Sequence, residues 1–329
     1  VINDYPHAAL ALHDVDESEP DRDDRAIAAI MGIAMAAKGD PHVDPESLEA
    51  IQALAGPEPG KKVVKPEEIR KAVGADLDAW ILAAQAECDS FKIRDAVQEA
   101  TGQERKAWGK RPLPMLNVWS VTDMGLRKCR SVIAGNFQDL DPTAQRWTAQ
   151  AEPGTIFMAA KLAAMRGWKI SKVDVKGAFL NAPIPPGELV LVQPPGQWVK
   201  WGIVKEHVVW KLNRAVYGLR QSPKWWGDER DRQLAKLHWT VGAHTYHLEQ
   251  NVADSQVWAM RRQGDNLATL GLLCVYVDDF LILSDESPAR KCLVEALLKV
   301  WEFGPERTLS LDTSITFLGI DWYMDGGGD

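Results

Sequence analysis

Two adjacent carboxylates, Asp278 and Asp279, stand in the segment Val275-Tyr276-Val277-Asp278-Asp279, between the apolar runs Leu270-Gly271-Leu272-Leu273-Cys274 and Phe280-Leu281-Ile282-Leu283. Runs of this kind form strands. Ionised groups between two strands repel each other and resist burial unless a cation neutralises them. A hairpin turn that presents both to divalent metal meets that requirement. Upstream, Lys172-Val173-Asp174-Val175-Lys176-Gly177-Ala178-Phe179-Leu180-Asn181 places Asp174 in another short strand-like segment. A two-metal site for phosphoryl transfer needs several hard carboxylate oxygens on rigid elements, holding ions roughly 3.5 to 4 Å apart. Asp174, Asp278 and Asp279 are therefore the candidate catalytic and metal-ligating residues.

A chain of 329 residues that is 46% apolar has room for one large domain or two smaller ones with a sizeable core. No run approaches the roughly 18 uncharged apolar residues of a spanning helix, and no basic leader precedes an apolar stretch at the start, so neither membrane insertion nor secretion is expected. The four cysteines are scattered without Cys-x-x-Cys spacing, which fits a reducing compartment. His244-x-x-His247 lacks an acidic or thiol partner at motif spacing and reads as structural.

The formal charge of −8 is unevenly spread. Residues 1–100 carry 10 basic and 21 acidic side chains, residues 101–250 carry 22 and 12, and residues 251–329 carry 6 and 13. A basic block beside a carboxylate cluster suits nucleic-acid polymerisation, because phosphates need cationic walls while the reacting centre needs metal. A solvated charged face is the competing reading of the charge alone.

The acidic stretch 13–24 is too poor in apolar groups to pack and is expected to be a disordered tail. A short helix is expected over Ala26–Ala37, then a turn-rich linker from Pro41 to Lys65. Leu77, Trp80, Ile81, Ala84 and Cys88 fall at helical spacing and predict a helix over about 76–89 with a core-facing stripe. Strands are predicted around Met115–Val121 and Cys129–Ala134, forming a hairpin with a basic second arm. A helix over 155–167 precedes the Asp174 strand, which breaks at the prolines of 181–186. Strands at 188–193 and 208–212, a helix at 223–237, a hairpin of 257–260 with 267–277, a helix at 288–301 and a strand at 315–322 follow. Helices on one face of a mostly antiparallel sheet make an α+β class.

Four ordered blocks resemble the reverse transcriptases of copia-type LTR retrotransposons. They are Lys128-Cys129-Arg130-Ser131-Val132, the Gly167–Asn181 block with its Asp-Val-Lys-x-Ala-Phe-Leu-Asn core, Ala215–Pro223 (AVYGLRQSP), and Tyr276-Val277-Asp278-Asp279. A fifth, Phe317-Leu318-Gly319-Ile320-Asp321, is similar to the family's block after the catalytic hairpin, and the resemblance covers about 66–323. It implies a palm and fingers at 113–325, after an acidic, partly disordered segment and linker at 1–64 and a lead-in helical segment at 65–112, with a truncated tail at 326–329. It also implies two Mg²⁺ ions, with Mn²⁺ as substitute, on Asp174 and Asp278 principally and Asp279 as electrostatic support.

By the same resemblance, Lys128 and Arg130 clamp the incoming triphosphate, and the ring of Phe179 underlies the nucleotide sugar and selects deoxynucleotides. Tyr217 and Gly218 line the nucleotide pocket, while Gln221, Tyr276, Leu318 and Gly319 contact template or primer. A solvated hairpin arm, core packing and a strand-to-helix turn are the plainer readings of these groups. The implied activity is RNA-directed DNA polymerisation. Its partners are an RNA template, a DNA or tRNA primer, deoxynucleoside triphosphates, and the RNase H and integrase domains of a Pol polyprotein, with no membrane partner. The implied location is a cytoplasmic retrotransposon particle, with the nucleus as a further compartment. Asn136, where the family has Phe, and Phe157, where it has Arg, depart from the pattern. A catalytically inactive or co-opted relic that binds nucleic acid is the alternative. Small-molecule phosphoryl transfer is disfavoured because Gly-x-x-x-x-Gly-Lys-Ser/Thr does not occur.

Overall fold

The computed structural model describes residues 61–122, 124–139, 148–265 and 268–324. The tail, the helix and most of the linker expected before residue 61 lie outside the described residues. The chain divides into two compact units, and each is discontinuous. Described residues 61–148 and Gly177–Glu229 make the N-terminal unit; Ala149–Lys176 and the described residues from Arg230 onward make the C-terminal unit.

In chain order the N-terminal unit begins with β1 (Lys61–Val64), α1 (Pro66–Lys71), α2 (Gly74–Ile93), β2 (Val97–Glu99), α3 (Gly102–Trp108), β3 (Leu113–Thr122) and β4 (Arg127–Ile133). The C-terminal unit opens with α4 (Pro153–Arg166) and β5 (Lys169–Asp174). The chain then returns for β6 (Leu191–Gln193), α5 (Gly196–Lys200), β7 (Trp210–Leu212) and the first half of α6 (Ser222–Lys236). It ends with β8 (His238–Val241), β9 (His244–Gln250), β10 (Val257–Arg262), β11 (Gly271–Tyr276), β12 (Asp279–Ser284), α7 (Pro288–Val300), β13 (Arg307–Thr308), β14 (Ile315–Phe317) and β15 (Ile320–Trp322).

The N-terminal unit is organised by the α2 stripe. Trp80, Ala84, Cys88 and Phe91 recur every three or four residues, so one helical face is apolar and buried. That face shares a core with Met115 and Trp119 of β3, Cys129 and Ile133 of β4, and Trp198 and Trp210. Trp80 meets Trp119 edge-to-face at 5.6 Å. The helix outruns the predicted end near residue 89 because Phe91 continues the stripe. Lys61–Val64 is a strand paired with Trp119–Thr122, not linker. Among the described residues, the parallel pairing of Leu113 and Pro114 with Val192 and Gln193 is the exception to otherwise antiparallel ladders.

In the C-terminal unit the seven-stranded sheet runs β13-β5-β12-β11-β10-β9-β8, antiparallel throughout. Pro153 starts α4, and Gly167, at φ +62°, ends it, which returns the chain directly into β5. The sequence reading named no strand between α6 and Val257. Its signal was weak but present: Tyr246 and Leu248 alternate with Thr245, His247 and Glu249 across β9. The strand predicted over 315–322 is instead a hairpin, because Leu318 and Gly319 take φ +60° and +72° and reverse the chain. Among the described residues, no helix is long and apolar enough to cross a membrane.

One carboxyl in the N-terminal unit titrates against its surroundings. Burial pushes the Glu87 carboxyl up, opposed by the Ser131 amide at 2.8 Å and by the charges of Arg130 and Arg94. A raised pKa means that the folded chain holds this proton more tightly than the unfolded chain does. Glu87 therefore favours folding in acid, and that contribution is lost as the pH rises through its folded value. In thermal melts, the stability of Glu87→Gln relative to wild type should increase from pH 4 to pH 7.5; a difference independent of pH would refute this.

Candidate active site

The sheet register brings the aspartates together. Asp174 ends β5 directly opposite Asp279, the first residue of β12, and Asp279 in turn faces Tyr276 at the end of β11. Residues opposite each other share a face of the sheet. Asp278 lies in the β11–β12 turn, and its carbonyl accepts the Val175 amide at 2.9 Å. One carboxylate oxygen from each of Asp174, Asp278 and Asp279 falls within a group spanning no more than 4.8 Å. Adjacent Asp278 and Asp279 converge because only the second is in a strand.

Like charges placed opposite one another are destabilising, and the site contains its own answer. The Lys172 ammonium sits 2.7 Å from Asp279 Oδ2 and also donates to the Thr316 carbonyl at 2.9 Å. Two residues before Asp174 on β5, Lys172 shares its face. Burial pushes the Asp279 carboxyl up; Lys172 opposes that shift, while the neighbouring Asp174 adds to it. Sequence reasoning missed Lys172, although the i, i+2 spacing within Lys-x-Asp was the signal. The three carboxylates offer hard oxygen donors of the kind that Mg²⁺ and Mn²⁺ take, so the donor set fits these ions.

The turn itself is strained. Val277 has φ +53°, a conformation in which a β-branched residue is an outlier. Such strain persists only where surrounding structure imposes it, and it clusters at functional sites.

In the N-terminal unit, Arg130 of β4 lies over the Tyr217 ring at 4.7 Å, and Tyr217 meets Phe179 edge-to-face at 4.6 Å. Arg, Tyr and Phe thus form one stack, half-buried on its aromatic side. Lys128 shares the exposed face of β4 with Arg130. The Tyr217 carbonyl accepts the Ile133 amide at 2.8 Å. A Cβ on Gly218, at φ +89°, would lie 2.0 Å from the Ile133 carbonyl oxygen, so close backbone approach explains this glycine. Gln221 accepts from the Gln138 side chain at 2.8 Å, and Ser222 Oγ bonds the Val216 amide and carbonyl at 3.1 and 2.7 Å.

Two arginines absent from the sequence reading support the Phe179 turn. Arg214 donates to the Arg94 and Asn181 carbonyls at 2.7 and 3.2 Å, and a Cβ on Gly177 would lie 3.6 Å from Arg94 Nε. They come from segments distant in sequence, so no local motif announces them.

Of the remaining site candidates, Tyr276 packs edge-to-face on Phe317 at 6.4 Å, and Leu318 and Gly319 form the β14–β15 turn. Asn136 stands in a short 3-10 turn, Gly135–Phe137. Phe157, the other departure, packs against Trp322 at 5.5 Å.

The sequence profile of the Reverse transcriptase (RNA-dependent DNA polymerase) family matches residues 111–328. The chain therefore belongs to the reverse transcriptase family, and its copia-type character is borne out by its curated relatives. It is 29% identical over 178 residues to "Retrovirus-related Pol polyprotein from transposon RE2" of Arabidopsis thaliana, covering 54% of this chain and 11% of that protein. It is 30% identical over 187 residues to "Retrovirus-related Pol polyprotein from transposon TNT 1-94" of Nicotiana tabacum, covering 54% and 13%. The RE1 polyprotein of Arabidopsis thaliana is 29% identical over 143 residues, covering 44% and 9%. The chain thus spans about a tenth of the length of these relatives.

Gly218→Ala should destabilise the N-terminal unit by about 3 kcal/mol, since neither the clash nor the positive φ has a cheap relaxation. Gly196→Ala, which meets open space, should stay within about 0.5 kcal/mol of wild type. Denaturant titration followed by tryptophan fluorescence separates the two, and equal midpoints would contradict the close-approach account.

Proposed function

We propose that this chain is the catalytic part of an RNA-directed DNA polymerase, with the C-terminal unit as palm and the N-terminal unit as fingers. The observation that carries the proposal is the convergence of Asp174, Asp278 and Asp279 on adjacent antiparallel strands and their turn. Asp174 and Asp278 would hold two Mg²⁺ ions, for which Mn²⁺ substitutes, while Asp279, already paired with Lys172, acts as electrostatic support. Such ions supply the positive charge that lowers the pKa of a primer 3′-hydroxyl and neutralises a triphosphate.

The protein's own contribution is positioning. The antiparallel register fixes Asp174 against Asp279, and the Lys172 ammonium limits the repulsion between them. In the N-terminal unit, Lys128 and Arg130 carry the cationic charge assigned to the triphosphate, and Arg130 is oriented by Tyr217. Phe179, held edge-on by Tyr217, is assigned the deoxyribose, where a ring would exclude a 2′-hydroxyl. Gly218 shapes the same loop, and Gln221, Tyr276, Leu318 and Gly319 are assigned to template and primer. Base pairing selects the nucleotide, so no base-reading side chain is required. RNA template, DNA or tRNA primer, deoxynucleoside triphosphates and other Pol domains are the proposed partners.

Primer extension on an RNA template with Mg²⁺ or Mn²⁺ should fall by on the order of 10³ or more in the Asp278→Asn/Asp279→Asn protein. Template binding without extension by wild type would favour the nucleic-acid-binding relic instead. Phe179→Ala should admit ribonucleotides; discrimination as strong as wild type's would remove Phe179 from the sugar site.

A further inference from the structure

Arg230, in the second half of α6, is 0% exposed. A buried guanidinium is costly unless its donors are satisfied, and nothing in the proposed chemistry uses this one. Its bonds show where it acts. Nη1 donates to the Val277 carbonyl at 3.0 Å, Nε donates to Asp231 Oδ1 at 2.9 Å, and Nη2 donates to Gln256 Oε1. Gln256, also 0% exposed, donates from Nε2 to Asp231 Oδ2 at 3.0 Å, which closes a ring of Arg230, Asp231 and Gln256.

This ring holds the β11–β12 hairpin at two points. Arg230 bonds the carbonyl of Val277, while the Gln256 carbonyl accepts the Val275 amide at 2.9 Å. Gln256 is fixed in turn by Asp254, whose Oδ1 accepts the Gln256 amide at 3.0 Å and whose Oδ2 accepts the Glu152 amide at 3.0 Å. The residue so gripped is the one with φ +53°, and Asp278 follows it directly. A planar fork with donors on several sides suits this geometry, since one cation must satisfy three differently placed acceptors.

We infer that Arg230 is a positioning residue: braced by Asp231 and Gln256, it holds Val277 in its left-handed conformation and thereby sets Asp278 against Asp174. The inference rests on the reading of the three aspartates as a metal site. Arg230 touches neither substrate nor metal in this scheme. Its effect reaches the carboxylates through the backbone of one turn.

The test is direct Mn²⁺ binding by the full chain, read from the free-ion electron paramagnetic resonance signal, with folding followed by circular dichroism. Wild type, Arg230→Met, Arg230→Lys and Asp278→Asn are compared. Arg230→Met should weaken Mn²⁺ binding roughly tenfold, the scale of one lost charge-assisted hydrogen bond. Arg230→Lys, which keeps the charge and a donor but not the fork, should lose about threefold. Mn²⁺ affinity unchanged in the folded variants, even with a lower melting temperature, would make Arg230 merely structural and overturn the inference. If Arg230→Met does not fold, Arg230→Lys alone decides by the same criterion. Wild type binding Mn²⁺ no better than Asp278→Asn would overturn the metal reading itself, and this inference with it.

Discussion

The C-terminal unit depends on placing two carboxylates opposite each other. Asp174 and Asp279 face one another across β5 and β12, an arrangement that repels on its own and that neither strand could keep without compensation. Lys172 provides it from the same face, and the apolar ladder above the site holds the register. Phe280, Leu281, Ile282 and Leu283 are all buried, so both faces of β12 pack into the core, and the mismatch that a one-residue slip would create on each face resists the electrostatic push. The site is thus held by the sheet's core rather than by attraction among its own groups.

Strain follows from the same constraint. Asp278 reaches the cluster only because the chain reverses within two residues, and the reversal places a valine where glycine would be easier. Buried polar groups behind the turn offset this cost, with Arg230, Gln256 and Asp254 linking α6, the segment just before β10 and the entry to α4. In the N-terminal unit, close packing replaces charge as the organising device. Gly135, Gly218 and Ile133 approach so tightly that side chains are excluded, which fixes the loop from which Tyr217 reaches Arg130 and Phe179.

Much of this was legible in the sequence where chemistry and periodicity coincide. The α2 stripe, the β3–β4 hairpin, α4 leading into the Asp174 strand, and the hairpin bearing Asp278 and Asp279 all emerge from local patterns. The edge strand β8 and its neighbour β9 were only weakly legible, because they bury only alternate residues and carry histidine and threonine between them. The β14–β15 reversal was hidden by Leu318, since positive φ is not signalled by leucine. Lys61–Val64 reads as linker in the sequence because its pairing partner lies about sixty residues away.

By itself the sequence determined the family and which carboxylates are candidate cation ligands, because hard carboxylates flanked by strand-forming runs have few stable uses other than binding cations. Tertiary structure decided which groups serve them. Lys172 as resident counter-charge, Arg94 and Arg214 behind the Phe179 turn, and Arg230 behind the Asp278 turn all depend on pairings between distant segments. The physical reason is that strand character and charge are properties of neighbouring residues, whereas register, burial and the partner of a buried cation exist only once separate segments have packed.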